Sequence, residues 1–262
     1  MSVRTYNPSV RVGNWNEDLC LEEDLLKDFL EKKENGELMI HKTKNLSSKL
    51  LQPVQLTEHE DGKIRFGDQI CLFNLSLQEN LAINMADSHL FEAEQVQPCG
   101  VSSSAILQPC NRNVFVVTSI DGNNQDGDHL NYGQKFLIST LTGFGGSLKL
   151  TSDTATFMKN AKKSRLQEVC LTTDYSYLSQ WEILHYDPQQ RLETEGTPVS
   201  ANQKVMINHC KTNQRLCALP EFGFRTSFGR EHEVVAHTFL DSHKAEKPQN
   251  HFALIAYNNK DE

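Results

Sequence analysis

One β-unit recurs three times along this chain, and that recurrence constrains the fold more than any other feature. Asn202 to Ala218 reads as two alternating runs around a polar Lys-Thr-Asn-Gln-Arg turn, with Val205 and Ile207 before it and Leu216 and Ala218 after it. Period-two alternation about a turn containing Asn is the pattern of a β-hairpin with one buried face. The arrangement returns from Gly133 to Leu150 and, in more worn form, from Gly67 to Ile83. Each unit closes on an aromatic strand, at Phe115, Trp181 and Phe252, which follow Gly67, Gly133 and Asn202 by 48, 48 and 50 residues. A third landmark, an amide or acid before a valine, lies between them at Gln95-Val96, Glu168-Val169 and Glu233-Val234. One such unit cannot bury its apolar face, whereas three around an axis close a barrel with few exposed edges. The expected fold class is mainly β: a β-trefoil of three pseudo-symmetric repeats, about 64–118, 130–186 and 198–257.

The trefoil is expected over residues 57–258, after an N-terminal segment, 1–56, made of an extended arm and one or two helices. Residues 1–13 contain Pro8 and no helical period, but they interleave Val3, Tyr6, Val10 and Val12 with Arg4 and Arg11. Ordering such a segment costs about 1–2 kcal/mol per residue, so it reads either as an arm that orders on a partner or as a frayed terminus. Asn14 with Glu17 resembles a capping box, and Leu21, Leu25, Leu26, Phe29 and Leu30 follow at helical spacing. Lys32 and Lys33 suit the carboxyl end of that helix, and Gly36 its stop. The apolar stripe needs cover from the trefoil or from another protein, while Glu22, Glu23, Asp24 and Asp28 form a solvated face. Residues 37–56 suggest a second short helix ending before Pro53. Asn84 to Gln108 reads as a loop-like insertion, and Asp121 to Asp128 as a polar connection between repeats.

A net charge of −8 argues against nucleic acid and against anionic membranes, both of which need concentrated Lys and Arg. No run approaches the roughly 20 apolar residues of a membrane span, and no charged-then-apolar leader opens the chain. Seven scattered cysteines without a CxxC pair suggest reduced cytosolic thiols that fill space, not a disulfide framework or a zinc knuckle.

Motifs that carry chemistry fail on spacing. From Asp121 the sixth residue is Asp126 and the twelfth Tyr132, where a calcium loop needs glycine and glutamate. His232 and His237 are five apart, not four as in a zinc-protease helix, and on a strand that spacing turns them to opposite faces. His209, Cys210 and Cys217 read as a hydrogen-bonded histidine and packing thiols before they read as ligands. Thr142 to Ser147 is glycine-rich but fits no phosphate-binding pattern, and Ser179 stands where a ricin-type sugar motif places glutamine. No catalytic, cofactor-binding or metal-ligating residue is therefore assigned. Lys159, Lys162, Lys163 and Arg165 form the one basic cluster, either a solvated loop or a contact with an acidic protein surface.

Several longer stretches resemble the cilia- and flagella-associated protein 161 family: Arg11–Asp18, Asp28–Lys32, Arg165–Val169, Ile207–Asn213 and Glu233–His251. They run in order from the arm to the last aromatic strand. The resemblance implies a MIR-like β-trefoil that is a microtubule inner protein, with no enzymatic activity and no cofactor. Its implied place is the A-tubule lumen of axonemal doublet microtubules. There it would contact the lumenal surface of α/β-tubulin and neighbouring inner proteins, and support the beating of cilia and flagella. On this reading the interface residues are Arg4, Tyr6, Arg11, Asn14 and Trp15 of the arm together with Lys159, Lys162, Lys163 and Arg165. Burial of Trp15 on a partner would contribute about 2–3 kcal/mol. The alternatives are a small-ligand or glycan-binding trefoil module, which needs a pocket lined with aromatic and amide groups, and a thiol enzyme, which needs an activated cysteine.

Overall fold

A computed structural model of the chain describes residues 15–38, 40, 44, 48–84, 99–120, 126–142 and 148–256. Among the described residues twelve strands form one sheet system. They are β1 (Gln69–Asn74), β2 (Glu79–Asn84), β3 (Cys99–Ser104) and β4 (Val114–Thr118), then β5 (Lys135–Thr140), β6 (Lys149–Ser152), β7 (Gln167–Thr172) and β8 (Trp181–His185), then β9 (Lys204–His209), β10 (Gln214–Thr226), β11 (Gly229–Ala236) and β12 (Phe252–Ile255). Strands β1, β4, β5, β8, β9 and β12 pair in that order, and β12 pairs back to β1, which closes a six-stranded barrel. The remaining six strands form the hairpins β2–β3, β6–β7 and β10–β11, in which β3, β7 and β11 also pair with one another. Closure leaves the barrel without an open edge. This is a β-trefoil.

The registers follow from a few residues. Gly67, Gly133 and Asn202 all have positive φ (89°, 74° and 58°), where glycine pays no Cβ penalty and Asn is among the better tolerated residues. Their amides donate to the carbonyls of Val117, Ile183 and Leu254 at 2.8, 2.9 and 2.8 Å. Three residues upstream of each, Ile64, Leu130 and Val199 close a ring of backbone hydrogen bonds: Ile64 donates to Val199, Val199 to Leu130 and Leu130 to Ile64. All three side chains are fully buried. Phe115, Trp181 and Phe252 face the same core, paired with Ile70, Phe136 and Val205 respectively.

Two sequence expectations change. The stretch read as an insertion between Asn84 and Gln108 contains β3 at Cys99–Ser104. Register across β2–β3, β6–β7 and β10–β11 aligns Val101 with Val169 and Val234, and Gly100 with Glu168 and Glu233. The first-repeat landmark is thus Gly100-Val101, five residues beyond Gln95-Val96, which lie outside the described residues. The signal was hidden because β3 is small and polar; two of its three buried serines bond inside the fold, Ser102 Oγ donating to Glu231 at 2.7 Å and Ser104 Oγ accepting from Arg112 at 3.4 Å.

The chain divides into two compact units, 1–46 and 47–262. In the first, the helix α1 (Trp15–Glu34) ends in a Schellman turn. Gly36 has φ 69°, its amide reaches the carbonyl of Lys33, and that of Glu37 reaches Lys32. The stripe Leu21, Leu25, Leu26, Phe29 and Leu30 is 44–60% exposed. In the second unit, Leu50 is fully buried and its carbonyl accepts from Arg112 N, which ties the segment before Pro53 to the β-core. Of the second helix expected over 37–56, residues 40, 44 and 48–50 are helical, while 39, 41–43 and 45–47 lie outside the described residues, as do 121–125 and 143–147.

Candidate protein-interaction surface

The pole of the trefoil where β3, β7 and β11 converge opens into a cavity of about 420 Å³. Its floor is the equivalent trio Val101, Val169 and Val234, with Ala161 beside them. Glu168 and Glu233 line it from equivalent positions of the second and third repeats, where the first repeat has Gly100, at which a Cβ would crowd the Asn84 carbonyl. Phe224 from the long β10 arm, Asn84, Lys162 and Lys163 complete the lining. Glu233 is satisfied: its two oxygens accept from the amides of Lys163 and Ser164, each at 2.9 Å. Burial holds the Glu168 carboxyl above its ordinary range; Lys162 opposes that shift and Glu233 adds to it.

Two members of the basic cluster, Lys162 and Lys163, line this cavity. Lys163 is partly structural, since its ammonium donates to the Gly223 carbonyl. Arg165 has φ 61° and donates to Asn160 Oδ1 at 3.2 Å. Lys159 faces Asp153 at 3.8 Å with both side chains well exposed, and Lys162 is exposed beside Glu168. The structure therefore brings the four predicted cations together but leaves mainly Lys159 and Lys162 free for a partner. Arg4, Tyr6, Arg11 and Asn14 lie outside the described residues. Trp15 begins α1, and its side chain is likewise outside them.

Sequence reasoning missed Phe157 and Met158, which sit on the same turn and are 95% and 88% exposed. The available signal was an apolar pair just before the lysines, but with no period it is weak. Phe224 and Glu168 were also missed as cavity residues, because they come from strands distant in sequence.

Burial pushes the thiols of Cys71, Cys99 and Cys210 up to about 12 and that of Cys170 to about 11; Cys217 is raised as well. These values disfavour the reactive thiolate at neutral pH. Among the described residues no three His, Cys, Asp or Glu side chains are grouped as a metal site, and no helix is long and apolar enough to cross a membrane. His232 pairs with Glu79 at 2.9 Å, and His237 stacks edge-on against Phe239.

His209 is a fully buried structural group. Nε2 lies 2.9 Å from the Leu178 carbonyl and so carries the proton, which leaves Nδ1 to accept from the Thr212 hydroxyl at 2.8 Å. Burial lowers its affinity for a second proton below the ordinary 6.5, as it also does for His237 and His251. The unfolded chain then binds more protons than the folded one. Stability present above about pH 6.5 is lost as pH falls through and below that value. The melting temperature is expected to drop between about pH 7 and about pH 5, with a shallower slope in His209→Gln. Parallel slopes in the two proteins would remove His209 from the account.

Comparison with known proteins places these features. Residues 42–257 match the family model of the cilia- and flagella-associated protein 161-like domain. The zebrafish (Danio rerio) cilia- and flagella-associated protein 161 is 45% identical over 95% of this chain and 87% of its own length. The cattle (Bos taurus) protein is 43% identical over 97% and 83%, and the mouse (Mus musculus) protein 40% identical over 98% and 90%. Among solved structures, the SDF2-like protein of Arabidopsis thaliana superposes with a TM-score of 0.56 at 14% identity, covering 76% of this chain and 99% of that one. A Caenorhabditis elegans protein of unknown function gives 0.55 at 13% identity, covering 75% and 98%. At such identity these two attest to the fold alone. The relatives match nearly the whole sequence, and the chain belongs to the cilia- and flagella-associated protein 161 family.

Proposed function

We propose that the chain is a non-enzymatic inner protein of axonemal doublet microtubules, bound to the lumenal α/β-tubulin wall of the A-tubule and stiffening the lattice that cilia and flagella bend. The observation that carries this reading is the match to cilia- and flagella-associated relatives along 95–98% of the chain. Physical features agree with it. The trefoil barrel is closed, burial raises the thiols of Cys71, Cys99, Cys170, Cys210 and Cys217, and a preformed cationic turn projects from an otherwise acidic chain. A repeating lattice adds avidity to individually modest contacts. In this arrangement residues 1–16 reach a neighbouring inner protein, with Tyr6 and Trp15 as anchors.

Deletion of residues 1–16 removes none of the 47–262 unit. The truncated chain is expected to melt like the full chain but to be released from salt-washed doublets at least about thirtyfold faster, as the loss of Trp15 alone, about 2–3 kcal/mol, would give. Equal release at matched expression would remove the arm from the interface.

One observation favours a second reading. The cavity holds an aromatic, Phe224, and an amide, Asn84, the groups a glycan or small-ligand site uses. Saturable thermal shifts in a glycan and metabolite screen, abolished by Phe224→Ala, would support that reading in place of a purely structural role.

A further inference from the structure

We infer that the turn from Asp153 to Arg165 is the principal anchor of the trefoil on its protein partner, and that Phe157 and Met158 plug an apolar socket whose rim is acidic. This rests on the lattice-binding role proposed above and names the contact that role requires.

Three observations carry it. First, the two apolar side chains are almost fully in water, 95% and 88% exposed, whereas Phe115, Phe136 and Phe252 are at most 1% exposed. Phe and Met are among the residues enriched at protein interfaces, and hot spots sit where such groups are fully desolvated. Second, the turn is held in shape from within. Thr156 N donates to the Lys159 carbonyl at 2.9 Å, and Lys159 N returns to Thr156 Oγ1 at 3.1 Å. Asn160 Nδ2 reaches the carbonyls of Thr156 and Phe157 at 2.9 and 3.0 Å. The base of the turn is fastened to β11 through the two amides on Glu233. A merely solvated loop has no use for this bonding; a preorganised anchor loses less entropy on docking. Third, the local charge opposes that of the molecule. Residues 153–165 carry three lysines and one arginine against a single acid, in a chain of net charge −8. Such a segment selects an acidic surface and sets the approach, while the plug supplies the affinity.

The test uses the full chain, fluorescently tagged, in ciliated cells that lack the endogenous protein. Three forms are compared: wild type, Phe157→Ser/Met158→Ser, and Lys159→Glu/Lys162→Glu. Because the substituted side chains are exposed, the melting temperatures are expected to match wild type. The serine variant is expected to exchange about tenfold or more faster on the axoneme in photobleaching recovery, at every salt concentration of the wash. The glutamate variant is expected to lose retention and also the salt dependence that wild type displays. Wild-type retention with an unaffected serine variant would overturn the anchor and leave the proposed role standing. Absence of wild type from the axoneme would overturn both. A wild-type dimer in solution that the serine substitutions abolish would seat the plug on a second copy and also overturn the inference.

Discussion

Trp181→Ala is expected to destabilise the chain by about 3–5 kcal/mol, the range for removing a large aromatic from a packed core. Trp181 is fully buried on β8, its ring centroid 4.9 Å from that of His209, and its Nε1 donates to the Leu150 carbonyl at 2.8 Å. It bridges β5 and β9 through pairing with Phe136 and His209, so the vacancy opens between two repeats. For a domain stable by about 5–15 kcal/mol the loss is a large fraction of the total. Trp181→Phe is expected to cost less than half as much. The barrel already holds Phe115 on β4 and Phe252 on β12 in the corresponding places, and the hydrogen bond to Leu150 is worth only about 0.5–1.5 kcal/mol net. Urea unfolding of the three proteins checks the ordering. An alanine variant within about 1 kcal/mol of wild type would mean that the core does not depend on this aromatic.

Arg112→Met is expected to be as damaging, about 3–5 kcal/mol, through charge instead of volume. Arg112 and Glu231 form an ion pair at 2.6 Å with side chains 1% and 0% exposed. Arg112 Nε also donates to the Ile83 carbonyl at 2.7 Å, and its guanidinium lies 4.1 Å above the Phe228 ring. Glu231 accepts from Ser102, so the pair staples the first repeat to the third. Removing the cation strands a carboxylate that no water reaches. The double variant Arg112→Met/Glu231→Gln keeps an acceptor for Ser102 and leaves no unpaired charge, so most of the loss is expected to be recovered. A double-mutant cycle by chemical denaturation gives the coupling energy. Additive losses would show that the two side chains stabilise the fold independently.

The barrel was legible because its signals are local. Gly67 and Gly133 mark turns that need positive φ, alternation marks the hairpins, and Phe115, Trp181 and Phe252 close each unit. The strand β3 was not, since Gly100-Val101-Ser102-Ser103-Ser104 sets one buried valine beside three buried hydroxyls and offers no alternation to read. The cavity was not legible either. Val101, Val169 and Val234 meet only because β3, β7 and β11 pair with each other, and nothing near any one valine announces the other two. The lysines 159, 162 and 163 stood out as a charge run, but the run did not tell which of them points outward. Glu233, 70 residues from Lys163 in sequence, fastens the base of their loop. Phe157 and Met158 look like core residues by type, and only the fold leaves them in solvent.

The most direct test of the central claim is subtomogram-averaged density of the A-tubule lumen, from cells with the chain, without it, and with wild type restored. The account expects a compact globule of trefoil size on the lumenal tubulin wall, lost with the chain and regained with it. A lumen unchanged by the deletion, or a difference confined to the outer surface of the doublet, would contradict it.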